Sequence, residues 1–389
     1  MKRVNVLDNT LRDGSYAVDF SFTAADTARI CTELERAGVR YIEVGHGAGL
    51  GATAKGVFPA AASDEEYLRA ARSVLTSAQF GMFCIPSIAR LDDIDLAADH
   101  GMGFIRVGTE VTTAAEMRPY IERAKQRGLL TTANLMKSYA VPAEQFAEAA
   151  ALAESFGADV VYLVDSAGCM FPEDVRAYLD ALRERSQVRF GFHGHDNLGM
   201  AVYNSLLSAD EGASFVDGSL QGLGRRPGNA ATELLVASFE KRGYDTGIDM
   251  LRLLRTGEES TRPLLGPAGI EALDVVSGYA GFHSNFLPTV LAAAEEYAVD
   301  PALLIIGLCE IDRCTVRDED LRRIANHLRE RVEPLRPSLS SAFVAGGQGD
   351  PAGLAGRGMP GSNGECLAYV TEVWTDRTPE SLRTETAPN

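Results

Sequence analysis

The sequence has no long apolar run and no paired cysteines. No stretch approaches the ~18 consecutive apolar residues of a membrane-spanning helix, and the amino terminus enters a strand-like run, VNVL, without the apolar segment of a secretory signal. The six cysteines are scattered without a C-x-x-C pair, which argues against a zinc knuckle or a disulfide framework. We therefore expect a cytoplasmic protein with reduced thiols and no membrane partner.

Positive charge is also scarce. Lysine and arginine number 37 against 54 aspartates and glutamates, and the formal net charge is −17. Such a surface repels a phosphate backbone, so we do not expect nucleic acid as a partner. The length of 389 residues, with 46% hydrophobic residues and a mean hydropathy of −0.06, suits one large domain or a domain with an appendage.

Short apolar runs recur through residue 220, each followed by a helical pattern. Eight of them are typical of strands: VNVLD, YIEVG, GMFCI, FIRVG, LTTANL, VVYLVD, VRFGFH and FVDGSL. Eight strand–helix units over about 240 residues predict an α/β protein with a (β/α)8 TIM barrel, whose usual size is ~250 residues. An open doubly wound sheet is the alternative, but no G-x-G-x-x-G follows the first strand.

The pattern becomes mostly helical after the barrel. We predict a catalytic barrel at residues 1–255, a helical extension at 256–335, and a Gly/Pro-rich linker with a C-terminal tail at 336–389. The extension contains PTVLAAAEEYAV, PALLIIGLCE and DEDLRRIANHLRERV. In the tail, CLAYVTEVWT is interpreted as one strand.

The segment VRFGFHGHDN (188–197) has two histidines at the end of the seventh strand. Alternate residues of a strand point to the same face, so His193 and His195 can reach one ion. Asp13 follows the first strand, and inward side chains of odd-numbered strands share a layer of a barrel. These three residues therefore predict a two-histidine, one-carboxylate metal site with positions left for substrate. The alternative is a pair of histidines satisfied by hydrogen bonds.

Three separated segments carry a family resemblance: NTLRDG, GFHGHDNLGMAVYNSLLSADEGASFVDGSLQGLGRRPGNAATELLVA and GYAGFHSNFL. They resemble the metal-dependent pyruvate aldolases that cleave 4-hydroxy-2-oxoacids, the 4-hydroxy-2-oxovalerate aldolase-like members of the DRE-TIM metallolyase superfamily. That superfamily also holds HMG-CoA lyase and the isopropylmalate and homocitrate synthases. The similarity runs from residue 4 to residue 315, and the tail does not match.

The resemblance implies a metal centre. Asp13, His193 and His195 would bind a divalent ion, Mn²⁺ or Mg²⁺, with Co²⁺ or Zn²⁺ as alternatives. Asn229, in GLGRRPGN, matches a position close to the metal in some members of the family. The activity implied is that of a class II pyruvate aldolase, a carbon–carbon lyase that needs no lysine Schiff base.

The resemblance also implies residues that meet the substrate. Arg12 would stabilise the enolate of pyruvate, and Ser166 in VVYLVDSAG would lie near the substrate carboxylate or carbonyl. His46, at the end of the second strand, is a further candidate for the pocket, as a substrate contact or as a wall. The paired arginines of GLGRRPGN either meet an anionic group of the substrate or are solvated.

Two residues depart from the family pattern. In RDGSYAVDF, Tyr16 occupies the position of the aldolases' general-base histidine, and in GYAGFHSNF, His283 occupies the position of a tyrosine. A tyrosine of pKa about 10 is a poor base at neutral pH, whereas a histidine near 6.5 is well matched. We therefore predict that His283 is the acid/base and that Tyr16 is its hydrogen-bonding partner. The alternative is that the exchange marks a changed reaction.

Three functions compete at this point. The first is an aldolase acting on a small 2-oxoacid and an aldehyde and assembled as a homo-oligomer. Aldolases of this family often pair with an acylating aldehyde dehydrogenase, and whether this chain does so is open because its tail differs from that of the paired enzymes. The second is an acyl-CoA-dependent Claisen-condensing synthase, which is disfavoured because GSYAVDF lacks the Glu-Gln that begins the synthase signature. The third is an inactive scaffold, which is disfavoured because packing alone does not require Arg12, Asp13 and two histidines around one pocket.

Replacing His283 by Ala is expected to abolish turnover and to leave the metal content intact, because the imidazole would move a proton without binding the ion. An activity assay and elemental analysis of the same preparation check this. His327→Ala, on a helical pattern outside the proposed site, is the control. Full activity of the His283→Ala variant would refute the assignment.

Overall fold

Eight parallel strands close into a barrel in the computed structural model, which describes residues 2–225, 227–265 and 272–331. Each strand pairs with the next along the chain, and the first pairs with the eighth. The strands are β1 (Asn5–Asp8), β2 (Tyr41–Glu43), β3 (Gln79–Cys84), β4 (Phe104–Glu110), β5 (Leu130–Met136), β6 (Val160–Asp165), β7 (Arg189–Gly194) and β8 (Phe215–Gly218). The predicted TIM barrel is confirmed, and its closure excludes the open sheet.

A helix follows each barrel strand among the described residues. These helices are α1 (Ala24–Ala37), α2 (Asp64–Val74), α3 (Leu91–Asp99), α4 (Arg118–Gln126), α5 (Ala143–Ser155), α6 (Pro172–Arg185), α7 (Ala201–Asp210) and α8 (Thr232–Lys241). Their apolar faces and the outward faces of the strands form the main hydrophobic core.

Helix α1 illustrates how the sequence forms these elements. The hydroxyl of Thr23 accepts the N–H of Asp26, and the carboxylate of Asp26 accepts the N–H of Thr23, which satisfies two free donors at the start of the helix. Ile30 and Leu34, four residues apart, are fully buried against the barrel. The helix ends at Gly38, whose φ of 95° is a conformation that glycine adopts without steric cost.

The barrel interior is apolar at one level and charged at another. On β4, Ile105 and Val107 belong to the core shared with the helices, whereas Arg106 points inward and its guanidinium lies 4.6 Å from the ring centre of Tyr162. The apolar part of the interior contains Val160, Tyr162, Val164 and Phe215. A charged layer above it brings the chemistry to the carboxyl ends of the strands.

Five further helices follow the barrel in the described residues: α9 (Met250–Ser260), α10 (Ala272–Ala280), α11 (Leu287–Tyr297), α12 (Pro301–Cys309) and α13 (Asp318–Arg331). The last four share a second hydrophobic core, and barrel and extension belong to one compact unit. Helix α9 spans the boundary proposed between residues 255 and 256, so the division into barrel and extension stays a prediction. The linker and tail at 336–389, with the strand proposed for CLAYVTEVWT, lie outside the described residues.

The remaining elements are short. Helical turns occupy Asp13–Val18, Ala52–Lys55, Val111–Met117, Ser138–Ala140, Leu220–Gly222, Arg262–Leu264 and Ser284–Phe286. Two-residue strands at Lys2–Arg3 and Tyr244–Asp245 pair in parallel. None of the described helices is both long enough and apolar enough to cross a bilayer.

Candidate active site at the carboxyl ends of the strands

A cavity of about 190 Å³ opens where the barrel strands end and the extension begins. Its polar and charged lining consists of Arg12, Asp13, Tyr16, Arg106, Glu110, Asn134, Lys137, Ser166, His193, His195, Arg225, His283 and Asn285. Most residues that the sequence nominated for catalysis therefore meet in one place. This is the end of the barrel at which TIM-barrel enzymes carry their active sites.

Asp13, His193 and His195 form a compact cluster beside this cavity. One ligand atom from each lies within 4.8 Å of those from the other two, and all three residues are buried. Asp13 Oδ2 is 3.9 Å from His195 Nε2. Two donors that are each about 2.1 Å from one ion lie roughly 3 to 4 Å apart, so this spacing fits a shared cation. The structure thus brings together the three residues proposed as metal ligands.

Asn229 extends the cluster. Its Nδ2 donates to Asp13 Oδ2 at 2.7 Å, and its backbone bridges to that of His195. Its Oδ1 is buried and has no hydrogen-bond partner among the described residues. An unsatisfied amide oxygen next to a carboxylate and two imidazoles fits a site built to hold a cation.

The electrostatics of the cluster favour its ligating forms. Burial alone raises the pKa of the Asp13 carboxyl, but the Arg12 guanidinium and the two histidines outweigh it, and the pKa lies well below its ordinary value. Burial lowers the pKa of His195 to about 3, against the attraction of Asp13, and the charge of Arg225 lowers it further. A carboxylate and a neutral imidazole are the forms that bind a metal.

His193 is oriented by a carboxylate behind it. Its Nδ1 lies 2.9 Å from Asp217 Oδ2, which leaves Nε2 to face the cluster. Asp217 in turn forms a buried ion pair with Arg106, whose other amino group is 2.9 Å from Glu43 Oε2. A carboxylate that holds the second nitrogen of a ligating histidine fixes its tautomer and the orientation of its ring.

Arg12 is held in the same network. Its Nε donates to Glu43 Oε2 at 2.9 Å, its Nη1 donates to Asp13 Oδ1 at 2.8 Å, and its guanidinium lies 4.7 Å from the ring centre of Phe83. The network contains two arginines and three carboxylates, so its formal charge is negative by one. A divalent ion would make the site positive, as an anionic substrate requires.

His283 comes from the extension and lines the cavity. Its Nδ1 accepts the N–H of Asn285 at 3.3 Å. Burial, followed by the charges of Arg225 and Lys137, places the pKa of the imidazole well below its ordinary value. The ring is therefore neutral at physiological pH.

Tyr16 lies in the same cavity but in a different relationship from the one proposed. No hydrogen bond joins its hydroxyl to His283 in the described parts of the chain; instead, the guanidinium of Arg225 lies 5.2 Å from the centre of its ring, and Phe20 packs edge-on at 5.0 Å. Burial raises the pKa of the phenol. The roles assigned to Tyr16 and His283 stay predictions.

The other nominated residues surround the site. Ser166 Oγ accepts the N–H of Lys137 at 3.0 Å, and Lys137 Nζ contacts Glu110 Oε1 and the carbonyl of Cys314, each at 2.5 Å. His46 is not among the described residues that line the cavity. Its Nδ1 accepts the N–H of Ala48, its ring stacks on Phe20 at 4.5 Å, and burial lowers its pKa. Arg226 lies outside the described residues.

Sequence reasoning missed the supporting network. Glu43, Arg106 and Asp217 lie inside apolar strand runs, in YIEVG, FIRVG and FVDGSL. A charged residue within a buried strand is costly unless it is paired, so each was a detectable signal of an inward-facing polar layer. Asn285, two residues after His283, carried no comparable signal.

The fold and site are those of an HMGL-like metallolyase. The HMGL-like family model matches residues 3–259, and the chain belongs to that family. Among its relatives, the 4-hydroxy-2-oxovalerate aldolase of Carboxydothermus hydrogenoformans is 40% identical over 308 residues, covering 79% of this chain and 92% of the relative. The oxaloacetate decarboxylase of Mycobacterium tuberculosis is 42% identical over 295 residues, which cover 75% of this chain and 86% of the relative.

Solved structures agree on the fold. The HMG-CoA lyase of Bacillus subtilis has a TM-score of 0.60 at 21% identity and covers 71% of this chain and 98% of that one. The carboxyl transferase domain of Rhizobium etli pyruvate carboxylase has a TM-score of 0.69 at 17% identity, and the match covers 84% of this chain and 61% of that one. At these identities the likeness supports the barrel alone.

Asp217→Asn is expected to weaken Mn²⁺ binding by about 10- to 100-fold, because the amide holds the imidazole of His193 less strongly than the carboxylate does. Calorimetric titration of the metal-free protein measures it. Glu43→Gln is the matched control, because it also removes a carboxylate from Arg106 but does not contact His193. Its loss of Mn²⁺ affinity should be smaller. Equal losses in the two variants would contradict the orienting role of Asp217.

Proposed function

We propose that this protein is a divalent-metal-dependent lyase that cleaves or forms the C3–C4 bond of a 4-hydroxy-2-oxoacid, with pyruvate as one product. The identity of about 40% to 4-hydroxy-2-oxovalerate aldolases, over most of both chains, supports a metal-dependent aldolase. The observation that carries the proposal for this chain is the cluster of Asp13, His193 and His195, which opens into the cavity beside Arg12.

Asp13, His193 and His195 would hold the ion, and Asn229 would support it. When bound, a divalent ion supplies Lewis acidity toward the keto oxygen and carboxylate of a 2-oxoacid. We propose Mn²⁺ or Mg²⁺, the ions that the family resemblance implies, and the carboxylate and the substrate's oxygen atoms suit either of them.

Arg12 would hold the negative charge that forms on the substrate. Breaking the C3–C4 bond leaves its electron pair on C3, and the charge spreads to the keto oxygen as an enolate. Asp13, Glu43 and the ring of Phe83 fix the Arg12 guanidinium before the reaction, so it need not reorganise as charge develops. Protonation of C3 then gives pyruvate.

His283 would move the proton of the 4-hydroxyl. Its ring is neutral and can take the proton, and C4 then becomes the carbonyl of the aldehyde. The lowered pKa makes the imidazole a weaker base than an ordinary histidine and, once protonated, a stronger acid. With Nδ1 accepting from Asn285, the hydrogen of the neutral ring is on Nε2. Acting as a base through Nε2 would therefore require this 3.3 Å contact to open when the substrate binds.

A second candidate is decarboxylation of a 2-oxo dicarboxylic acid. It is favoured by the oxaloacetate decarboxylase of M. tuberculosis, which is 42% identical. Loss of CO₂ from such an acid leaves the same enolate, so Arg12 and the metal ligands would serve both reactions. The acyl-CoA-dependent synthase has less support, since the relatives named above are aldolases and a decarboxylase. The aldehyde dehydrogenase partner, the homo-oligomer and the cytoplasmic location stay predictions.

Exchange of the pyruvate methyl hydrogens tests the shared step. Protein loaded with Mg²⁺ and incubated with pyruvate in D₂O is expected to incorporate deuterium at C3, measured by mass spectrometry. Removing the metal with EDTA should stop the exchange, and adding Mg²⁺ or Mn²⁺ should restore it. Exchange at the methyl group of acetyl-CoA, with none at the pyruvate methyl, would favour the synthase, and no exchange under any condition would refute the proposed function.

Arg12→Lys is expected to slow this exchange by about 10²- to 10³-fold, because a point charge replaces a fixed array of donors at the enolate oxygen. Metal content should stay near that of the unaltered protein. Arg118→Lys, in an exposed ion pair on α4, serves as the matched control. An exchange rate unaffected by Arg12→Lys would remove Arg12 from the mechanism.

A further inference from the structure

One cation of the cavity stands apart from the others. Arg12, Arg106 and Lys137 each form ion pairs with carboxylates. Arg225 also lines the cavity, yet no carboxylate among the described residues lies within ion-pair distance of its guanidinium. Because its guanidinium makes no such ion pair, its N–H donors are available to an anion that enters the cavity.

The structure holds this guanidinium in a defined pose. Its Nη1 donates to Asn285 Oδ1 at 2.7 Å, and its face lies over the ring of Tyr16 at 5.2 Å. The side chain therefore has a partner on one edge and a platform beneath it. These contacts come from opposite parts of the chain, the turn after β1 and the extension.

The other edge of Arg225 lacks good partners. Its Nε is buried without a hydrogen bond in the described structure, and its Nη2 is 3.4 Å from His195 Nε2. A cation shared with Asp13 would take the lone pair of that imidazole nitrogen. The Nε and Nη2 hydrogens point the same way and match the two oxygens of a carboxylate, which is the strongest partner for this edge.

The proposed function accounts for only one carboxylate of the substrate. That carboxylate would lie with the keto oxygen at the cation, so the free edge of Arg225 calls for a second one farther along the molecule. A carboxylate that leaves as CO₂ must lose its charge in the transition state, and an ion pair with arginine would oppose this. The second carboxylate therefore belongs to the aldehyde fragment and survives the reaction.

We propose that Arg225 selects 4-hydroxy-2-oxo dicarboxylic acids, whose cleavage gives pyruvate and an aldehyde that carries a carboxylate. This inference rests on the proposed function and names its substrate class. In the reaction the C3–C4 bond breaks, its electron pair goes to C3, the hydroxyl proton goes to the base, and C4 becomes the carbonyl. In reverse, pyruvate adds to a carboxylate-bearing aldehyde such as glyoxylate.

Binding of two unreactive analogues tests the selection without turnover. 2-Oxoglutarate carries the second carboxylate on C4, and 2-oxovalerate has a methyl group in its place. The Mg²⁺-loaded full-length protein is expected to bind 2-oxoglutarate at least tenfold more tightly in calorimetric titration. Arg225→Gln should remove most of this preference and bring the two affinities to within a few-fold of each other, and Arg225→Lys should restore part of it.

The condensation reaction gives a second readout. The ratio of kcat/KM for glyoxylate to that for acetaldehyde, each with pyruvate, is expected to fall in Arg225→Gln by a similar factor. Arg118→Gln, which removes an exposed arginine from α4, is the matched control and should leave the ratio unchanged. Thermal unfolding of each variant shows whether it is folded.

Several outcomes would overturn the inference. Equal affinity for the two analogues, or a ratio that Arg225→Gln does not change, would mean that Arg225 does not read a second carboxylate. Decarboxylation of oxaloacetate faster than cleavage of 4-hydroxy-2-oxoglutarate would assign the site to the second candidate function. If pyruvate exchange proceeds while the selection fails, the proposed function stands and this inference falls. If exchange fails, the analogue titrations still decide the role of Arg225.

Discussion

The site depends on a single buried guanidinium. Arg106 is fully buried in the barrel interior, and its charge is tolerated because Glu43 and Asp217 lie on either side of it. Breaking one such pair leaves an uncompensated charge, at a cost of about 3 to 5 kcal/mol. Because Glu43 also holds Arg12 and Asp217 also holds His193, one inward arginine orients both the cation proposed to bind the substrate and a proposed metal ligand.

The extension completes this site. The turn after α10 supplies His283 and Asn285, and the carbonyl of Cys314 accepts a hydrogen bond from Lys137 at the end of β5. Lys137 itself has a φ of 55°, a strained conformation for a residue with a side chain, which its contacts with both barrel and extension sustain. The proton transfer proposed for His283 would therefore require the extension to be docked, whereas the cluster of Asp13, His193 and His195 lies wholly within the barrel.

The fold and the ligand cluster were readable from the sequence because both follow from periodicity and topology. Strand runs repeat in order, and barrel closure brings the loops that follow β1 and β7 to the same end of the barrel. Asp13 reaches the two histidines from the helical turn Asp13–Val18, five residues beyond the end of β1, and not from a layer of the strands as predicted. The supporting ion pairs were not readable. Arg106 reaches Glu43 across 63 positions and Asp217 across 111, and such pairings depend on strand register and side-chain direction rather than on local pattern.

The difficulty of predicting contacts between distant parts of the chain also explains why the expected relationship between Tyr16 and His283 was not found. From sequence, the exchanged tyrosine and histidine suggested a hydrogen bond between them, because Arg225 could not be foreseen in the space near both. The Arg225 guanidinium lies over the ring at position 16, and a phenol there offers the positive charge the electron-rich face of its ring. An imidazole there would share the space with a fixed positive charge and would repel it on protonation. Tyr16 and Arg225 are thus physically linked, and the imidazole of the pair stands at position 283 on the extension, where burial and the charges of Arg225 and Lys137 keep it neutral.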